Sequence, residues 1–182
     1  STDKGRDMKL VKQIGSGGEG AVFTTDQPGL VAKLYHRPPP QATVAKLRLM
    51  TSPARSAPHG LKSGAAWPVS LLQDNRAPIG YTMPAVPNSH QLGVLLQPKT
   101  RQSMAPVFTW QHLHVVAYNL AYVFESVHAA GCVVGDVNQR NLLVLPTARV
   151  VLIDTDSIQV SGNGHIYRCP VGTVDYTPPE LQ

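Results

Sequence analysis

The sequence is short of cysteine, of charge and of long apolar runs. Two cysteines, Cys132 and Cys169, occur in 182 residues. That excludes a disulfide-stapled scaffold and a four-cysteine zinc site, and it fits a reducing compartment, the cytoplasm. No apolar run reaches the roughly 20 residues that a membrane helix needs. The best stretch, 115–124, contains Asn119 and is followed by Glu125. Residues 1–12 are polar and carry no signal-peptide core, so no membrane partner is expected. Charged residues make up 15% of the chain, with 16 Lys and Arg against 11 Asp and Glu. The net charge of +5 is scattered. Lys46, Arg48, Arg55 and Lys62 form one loose basic stretch without aromatic residues between them, which argues against a nucleic-acid partner. One absence is local: no Asp or Glu occurs from Ala32 to Gln73.

What the chain does have is punctuation and short β patterns. Sixteen prolines and 15 glycines imply many turns and short elements. Residues 10–14, 21–25 and 30–35 read as strands, the first two joined by the turn Gly15-Ser-Gly-Gly-Glu-Gly20. A helix is expected over 41–50, with Val44, Leu47 and Met50 on one side. Strands at 67–72 and 79–83 follow a Pro, Ser, Ala and Gly-rich loop at 51–64. A linker at 84–88 precedes a change of pattern. Residues 110–130 show helical spacing at 113, 116, 117, 120, 124 and 127, with Thr109 as cap and Gly131 as stop. Short strands are expected at 142–145 and 149–153, and irregular chain from 154 onward.

Three local patterns carry chemistry. Gly15-x-Gly17-x-x-Gly20-x-Val22 is followed by strand formers, which suits a hairpin over phosphates better than a turn that opens a helix. Lys33, flanked by Val31 and Ala32, can neutralise phosphate from a strand. Asp136 and Asn141 lie five apart between a helix and an apolar strand, and Asp154 ends a second apolar run. The first aspartate can receive a hydroxyl proton, while the asparagine and second aspartate can hold Mg2+. Taken singly, these patterns also fit an ordinary glycine hairpin, an exposed strand lysine and turn-capping aspartates.

Together, in this order and spacing, the blocks resemble those of a eukaryotic-type protein kinase. Gly172-Thr173-Val-Asp-Tyr-Thr-Pro178-Pro179-Glu180 resembles the end of an activation segment. Ala66-Trp67-Pro68 and Tyr81-Thr-Met-Pro84 are similar to a divergent bacterial branch of the kind that carries helix-hairpin-helix tails. The resemblance implies an α+β, two-lobed fold. Residues 1–87 would form a five-stranded antiparallel lobe with one helix, and 88–182 a partial helical lobe that ends just past the activation segment. A chain of that extent should expose apolar surface from the helix at 110–130. By resemblance, ATP and Mg2+ are the cofactors and a protein hydroxyl is the acceptor. Gly15, Gly17, Gly20, Val22, Ala32, Lys33, Met83, Ala85, Val86 and Leu143 are assigned to the nucleotide. Asn141 and Asp154 are assigned to the metal, and Asp136, Lys33 and Asn138 to catalysis. Thr173 is placed on the peptide side.

The departures from the family pattern are as informative. Kinases pair the strand lysine with a glutamate on the following helix, and here Lys46 stands near that place. Two ammonium groups 4 Å apart would repel by about 4 kcal/mol at an effective dielectric near 20. Lys46 is therefore expected to point outward or reach phosphate, with Asp154, Asp156 or Glu19 balancing Lys33. Val134 and Gly135 replace the His-Arg before the aspartate. Asn138 replaces a lysine, and Asp154-Thr-Asp156 replaces Asp-Phe-Gly. Loss of the arginine removes the usual anchor for a phosphorylated activation segment, so activity is expected not to depend on activation-loop phosphorylation. The leading expectation is a Ser/Thr protein kinase. Its rivals are a nucleotide-binding pseudokinase scaffold and a small-molecule phosphotransferase.

Overall fold

Period-2 alternation and tight turns build the first part of the chain, and helical spacing builds the second. The computed structural model describes residues 1–3, 5–53, 64–169 and 172–177. Most of the loop at 51–64, with Arg55 and Lys62, and the Pro178-Pro179-Glu180 ending lie outside them. The described residues form two units. One takes residues 1–53 and Trp67–Ala85, the other residues 64–66 and 86–177.

The first unit is a five-stranded antiparallel sheet with one helix. Strands β1 (Leu10–Ser16), β2 (Gly20–Thr25), β3 (Leu30–Tyr35), β4 (Ser70–Asp74) and β5 (Ala77–Pro84) lie in the order β1-β2-β3-β5-β4. The strand expected from 67 starts only at Ser70. Asn75 and Arg76, both at positive φ, make the two-residue turn between β4 and β5. Helix α1 (Gln41–Thr51) buries Leu47 and Met50. The Trp67 indole N–H donates to the Met50 carbonyl at 3.1 Å and satisfies the last turn of α1. Lys46, on the same helix, is only 5% exposed. The expectation that it points outward is therefore corrected, because the helix turns that position inward with Leu47 and Met50.

The second unit centres on α4 (Trp110–Ala129) and a three-stranded sheet of β6 (His90–Gln91), β7 (Leu142–Val144) and β8 (Val150–Leu152) in the order β6-β7-β8. Val116, Val123 and Val127 form the buried stripe of α4. Its first turn is closed by the Thr109 N–H, which donates to His112 Nδ1 at 3.0 Å, so His112 stands where a capping box would place Glu or Gln. Gly131 ends the helix at φ 70°. Trp110, Val115, Tyr118 and Tyr122 are exposed, so α4 presents apolar surface as expected. Among the described residues, no helix is long and apolar enough to cross a membrane.

Among the described residues, several elements were not anticipated, β6 included. Helices α2 (Leu92–Leu96) and α3 (Pro98–Met104) fill the stretch after the linker. The chain beyond 154 is not wholly irregular. It holds a hairpin of β9 (Val160–Gly162) and β10 (His165–Tyr167), turned by Asn163 and Gly164 at φ 53° and 72°. Asn-Gly is the dipeptide such a turn requires.

Candidate functional site

In the first unit the site is built on β3. Register places Val22, Lys33 and Tyr81 opposite one another across β2, β3 and β5, with Val31 opposite Met83. Directly opposed residues in antiparallel strands share a face, and neighbours along a strand alternate. One face therefore carries Val22, Val31, Lys33, Tyr35, Tyr81 and Met83. Ala32, opposite Phe23 and Thr82, is on the other face and fully buried. Ala32, expected at the nucleotide, thus lies on the face away from Lys33. Val31, two residues before Lys33, shares the lysine's face.

The Lys33 side chain is 6% exposed. Its Nζ lies 5.6 Å from the Tyr35 ring centroid and 5.9 Å from that of Tyr81, in cation–π range. The Glu19 carboxylate is 3.8 Å from Nζ. Of the three carboxylates weighed against Lys33, Glu19 is thus one that reaches it. Tyr35 was legible as the residue two beyond the lysine. Tyr81 depends on the β3–β5 pairing, which sequence does not reveal.

The glycine-rich turn is tied to the end of β3. The His36 N–H donates to the Glu19 carbonyl at 2.9 Å, and His36 Nε2 lies 3.0 Å from the Gly17 carbonyl. The Gly17 N–H closes the turn onto the Gly20 carbonyl at 2.9 Å, so that donor serves the turn itself. At Gly20 a Cβ would overlap the Leu34 carbonyl oxygen. This glycine is thus needed first for the approach of β2 to β3.

In the second unit one hydrogen-bonded network holds the polar residues. Asp136 Oδ1 accepts from the Thr173 hydroxyl at 2.8 Å, and Oδ2 accepts from Asn141 Nδ2 at 3.1 Å. Asn138 Nδ2 donates to Thr173 Oγ1 at 2.9 Å, while its Oδ1 accepts the Arg140 N–H at 2.9 Å. Asn138 is 6% exposed. Its amide ties Thr173 to the loop that carries Asp136. The Asn141 carbonyl accepts the Ile153 N–H at 2.8 Å and ties the loop to the residue before Asp154.

Asp154 sits at φ 58° and ψ 39°, left-handed backbone that a non-glycine residue holds only when its surroundings impose it. The Ser157 hydroxyl and N–H both donate to its carbonyl, at 2.8 and 3.1 Å. Next to it, the Thr155 hydroxyl donates to the Ala66 carbonyl at 2.9 Å.

The donor set fits Mg2+. The Asn141 amide nitrogen donates to Asp136, its amide oxygen is a donor of the type Mg2+ takes, and Asp154 has a carboxylate. Mg2+ is held by one or two protein oxygens plus substrate phosphates and water. Among the described residues no group of three or more His, Cys, Asp or Glu gathers, as a protein-only transition-metal site would require.

Gly135, which precedes Asp136, is packed by Cys169. A Cβ on Gly135 would overlap the Cys169 Cβ and lie 2.6 Å from its Sγ. Neither cysteine forms a disulfide.

The architecture is that of a protein-kinase-like fold, two-lobed and α+β, with the expected five-stranded lobe and a smaller helical one. The chain is related to the Escherichia coli proteins named protein kinase YegI. It is 40% identical over 184 residues to the one from strain K12, all of this chain but 28% of that protein. It is 41% identical over 174 residues to the one from O157:H7, covering 94% and 26%. The chain thus spans under a third of the relatives it matches. No family model matches it. Among solved structures, it is similar to the ROP18 kinase domain in complex with AMP-PNP and sucrose, with a TM-score of 0.61, 16% identity, and coverage of 95% of this chain and 56% of that one. It is also similar to ROP2 from Toxoplasma gondii, described as a virulence factor with a protein-kinase fold and no enzymatic activity, with a TM-score of 0.60, 16% identity, and coverage of 99% and 58%.

Proposed function

We propose that this chain is a nucleotide-binding module of the protein-kinase-like fold that takes ATP with Mg2+. The observation that carries this is Lys33, a buried ammonium on β3 close to the Tyr35 and Tyr81 rings and beside the glycine-rich turn. A buried cation of this kind is retained where an anion is to be met. Val22, Val31, Met83, Ala85, Val86 and Leu143 are assigned to the adenine. Lys33 is assigned to the phosphates, and Asn141 and Asp154 to Mg2+. A fold shared with a protein described as lacking enzymatic activity is compatible with a binding module that acts as a scaffold. The Glu-free α1, the buried Lys46 and the altered Asp-Phe-Gly support the same reading. Calorimetric titration of the full-length protein tests it. Lys33→Met is expected to weaken ATP binding by about tenfold or more, and equal affinity would overturn the assignment.

Phosphoryl transfer to a protein Ser or Thr is a second reading, favoured by one observation. A hydroxyl, that of Thr173, already donates to Asp136 at 2.8 Å. The carboxylate is therefore aimed and oriented for an incoming acceptor hydroxyl. Labelling with [γ-32P]ATP separates the two readings. Asp136→Ala is expected to retain ATP binding and to lose labelling by about a hundredfold or more. Wild-type labelling no greater than that of the variant leaves the scaffold. Turnover on a metabolite panel without protein labelling would point to small-molecule phosphotransfer.

A further inference from the structure

We propose that Glu19 is a built-in stand-in for phosphate: its carboxylate holds the anion position at Lys33 when no nucleotide is bound, and an arriving polyphosphate displaces it. The inference rests on the nucleotide reading of Lys33 and adds to it a competitor supplied by the chain itself.

The geometry of the turn carries the argument. Glu19 lies on the glycine-rich turn, and its carbonyl is fixed by the His36 N–H at 2.9 Å. The same histidine ring reaches the Gly17 carbonyl at 3.0 Å. The turn is thus pinned at both positions flanking Gly18, and the pin comes from the end of the strand that bears Lys33. That sets the Glu19 side chain over the ammonium.

The two partners differ in freedom. The Lys33 side chain is 6% exposed and that of Glu19 is 58% exposed. At 3.8 Å the contact is Coulombic and too long for a hydrogen bond. The lysine is therefore held in place, while the glutamate can swing into water at small cost.

The charge pattern gives the carboxylate a purpose. A buried ammonium is costly unless an opposite charge accompanies it. Kinases meet this need from the helix, but α1 carries no acidic residue and presents Lys46 instead. Glu19, 3.8 Å from Nζ, supplies one such charge from the glycine-rich turn, the element that phosphates would approach. A helix carboxylate can stay beside the lysine when nucleotide binds. A carboxylate on the glycine-rich turn meets the phosphates as a like charge, so it must leave. The number of phosphates then sets how strongly a ligand competes with it.

The test is calorimetric titration of the full-length protein and its Glu19→Gln variant with adenosine, AMP, ADP and ATP. Glu19→Gln keeps the shape of the side chain and removes its charge. It is expected to bind ATP about five- to tenfold more tightly, with a smaller gain for ADP, a smaller one again for AMP, and none for adenosine. On a Lys33→Met background the gain is expected to shrink to within about twofold. ATP affinity that falls or stays the same in Glu19→Gln overturns the inference alone, and a fall would make Glu19 a partner that positions Lys33. A gain equal for adenosine and ATP overturns it too. If neither protein binds any of the four ligands, the nucleotide reading fails and the inference fails with it.

Discussion

Gly80→Ala is expected to destabilise the first unit by about 3 kcal/mol or more and to lower its Tm by roughly 10 °C. Gly80 sits in β5 opposite Leu34 of β3. A Cβ there would overlap the Lys33 carbonyl oxygen and lie 3.1 Å from Leu34 Cα. Those are backbone atoms of a central strand, so no side-chain rotation relieves the clash. The strand pair must separate, and the hydrogen bonds of β3 with β5 weaken with it. The backbone at Gly80 is not left-handed, so alanine carries no conformational penalty and the effect isolates the contact.

Gly17→Ala is the matched control. A Cβ at Gly17 meets nothing within 4 Å, and its Tm is expected to move by no more than about 2 °C. Thermal and urea unfolding of the three proteins provides the measurement. A Gly80→Ala protein as stable as Gly17→Ala would show that β3 and β5 can yield. Gly20 and Gly80 approach β3 from its two sides, at the Leu34 and Lys33 carbonyls. The strand that holds Lys33 is thereby gripped between neighbours with no room for a methyl group. Rigid placement of Lys33 follows from these two glycines, of which a motif reading assigns Gly20 to ligand approach.

Local patterns were legible and distant pairings were not. The bounds of β3, the body of α1 and part of the α4 stripe follow from period and capping over a few residues; Val116 and Val127 are buried as the spacing expects, while Ala117 is exposed and Val123 is buried instead. The Asp136 and Asn141 pair was also legible, because both belong to one loop whose spacing is itself local. Ala32, expected at the nucleotide, stands one residue off the lysine's face. Strand alternation already places Ala32 opposite Lys33, but the family pattern was applied without it. The contacts of Thr173 and Tyr81 lay beyond reach, since each meets its partner, Asp136 or Lys33, across a long loop closure that no window spans. The β9–β10 hairpin had its Asn-Gly signal, yet strands of three residues are too short to show alternation. Helices α2 and α3 are too short to show a full amphipathic period.

Gly135→Ala is expected to release the segment around Thr173, and Cys169→Gly is expected to restore it. The family pattern has an arginine where Gly135 stands, and that arginine commonly meets a phosphate on the activation segment. Here the same space holds the Cys169 side chain, four residues before Thr173. The segment is thus seated on the loop by steric fit at Gly135, and the Thr173 hydroxyl then reaches Asp136 and Asn138. A methyl on Gly135 would overlap the Cys169 Cβ, so the cysteine backbone has to move. A shift of about 1 Å at a positioned group is enough to cost a hundredfold in rate. Trypsin reads the seating directly, because Arg168 is exposed immediately before Cys169. Cleavage at Arg168 is expected to rise about tenfold in Gly135→Ala. If the wild-type protein labels itself, its rate is expected to fall about a hundredfold with ATP affinity unchanged. Adding Cys169→Gly removes the overlapping atom and should return both readouts toward wild type. Cys169→Ala keeps the Cβ and should not. Rescue by glycine and not by alanine is a steric signature that general destabilisation does not produce. Wild-type cleavage in Gly135→Ala, or equal behaviour of the two cysteine variants, would rule the seating out.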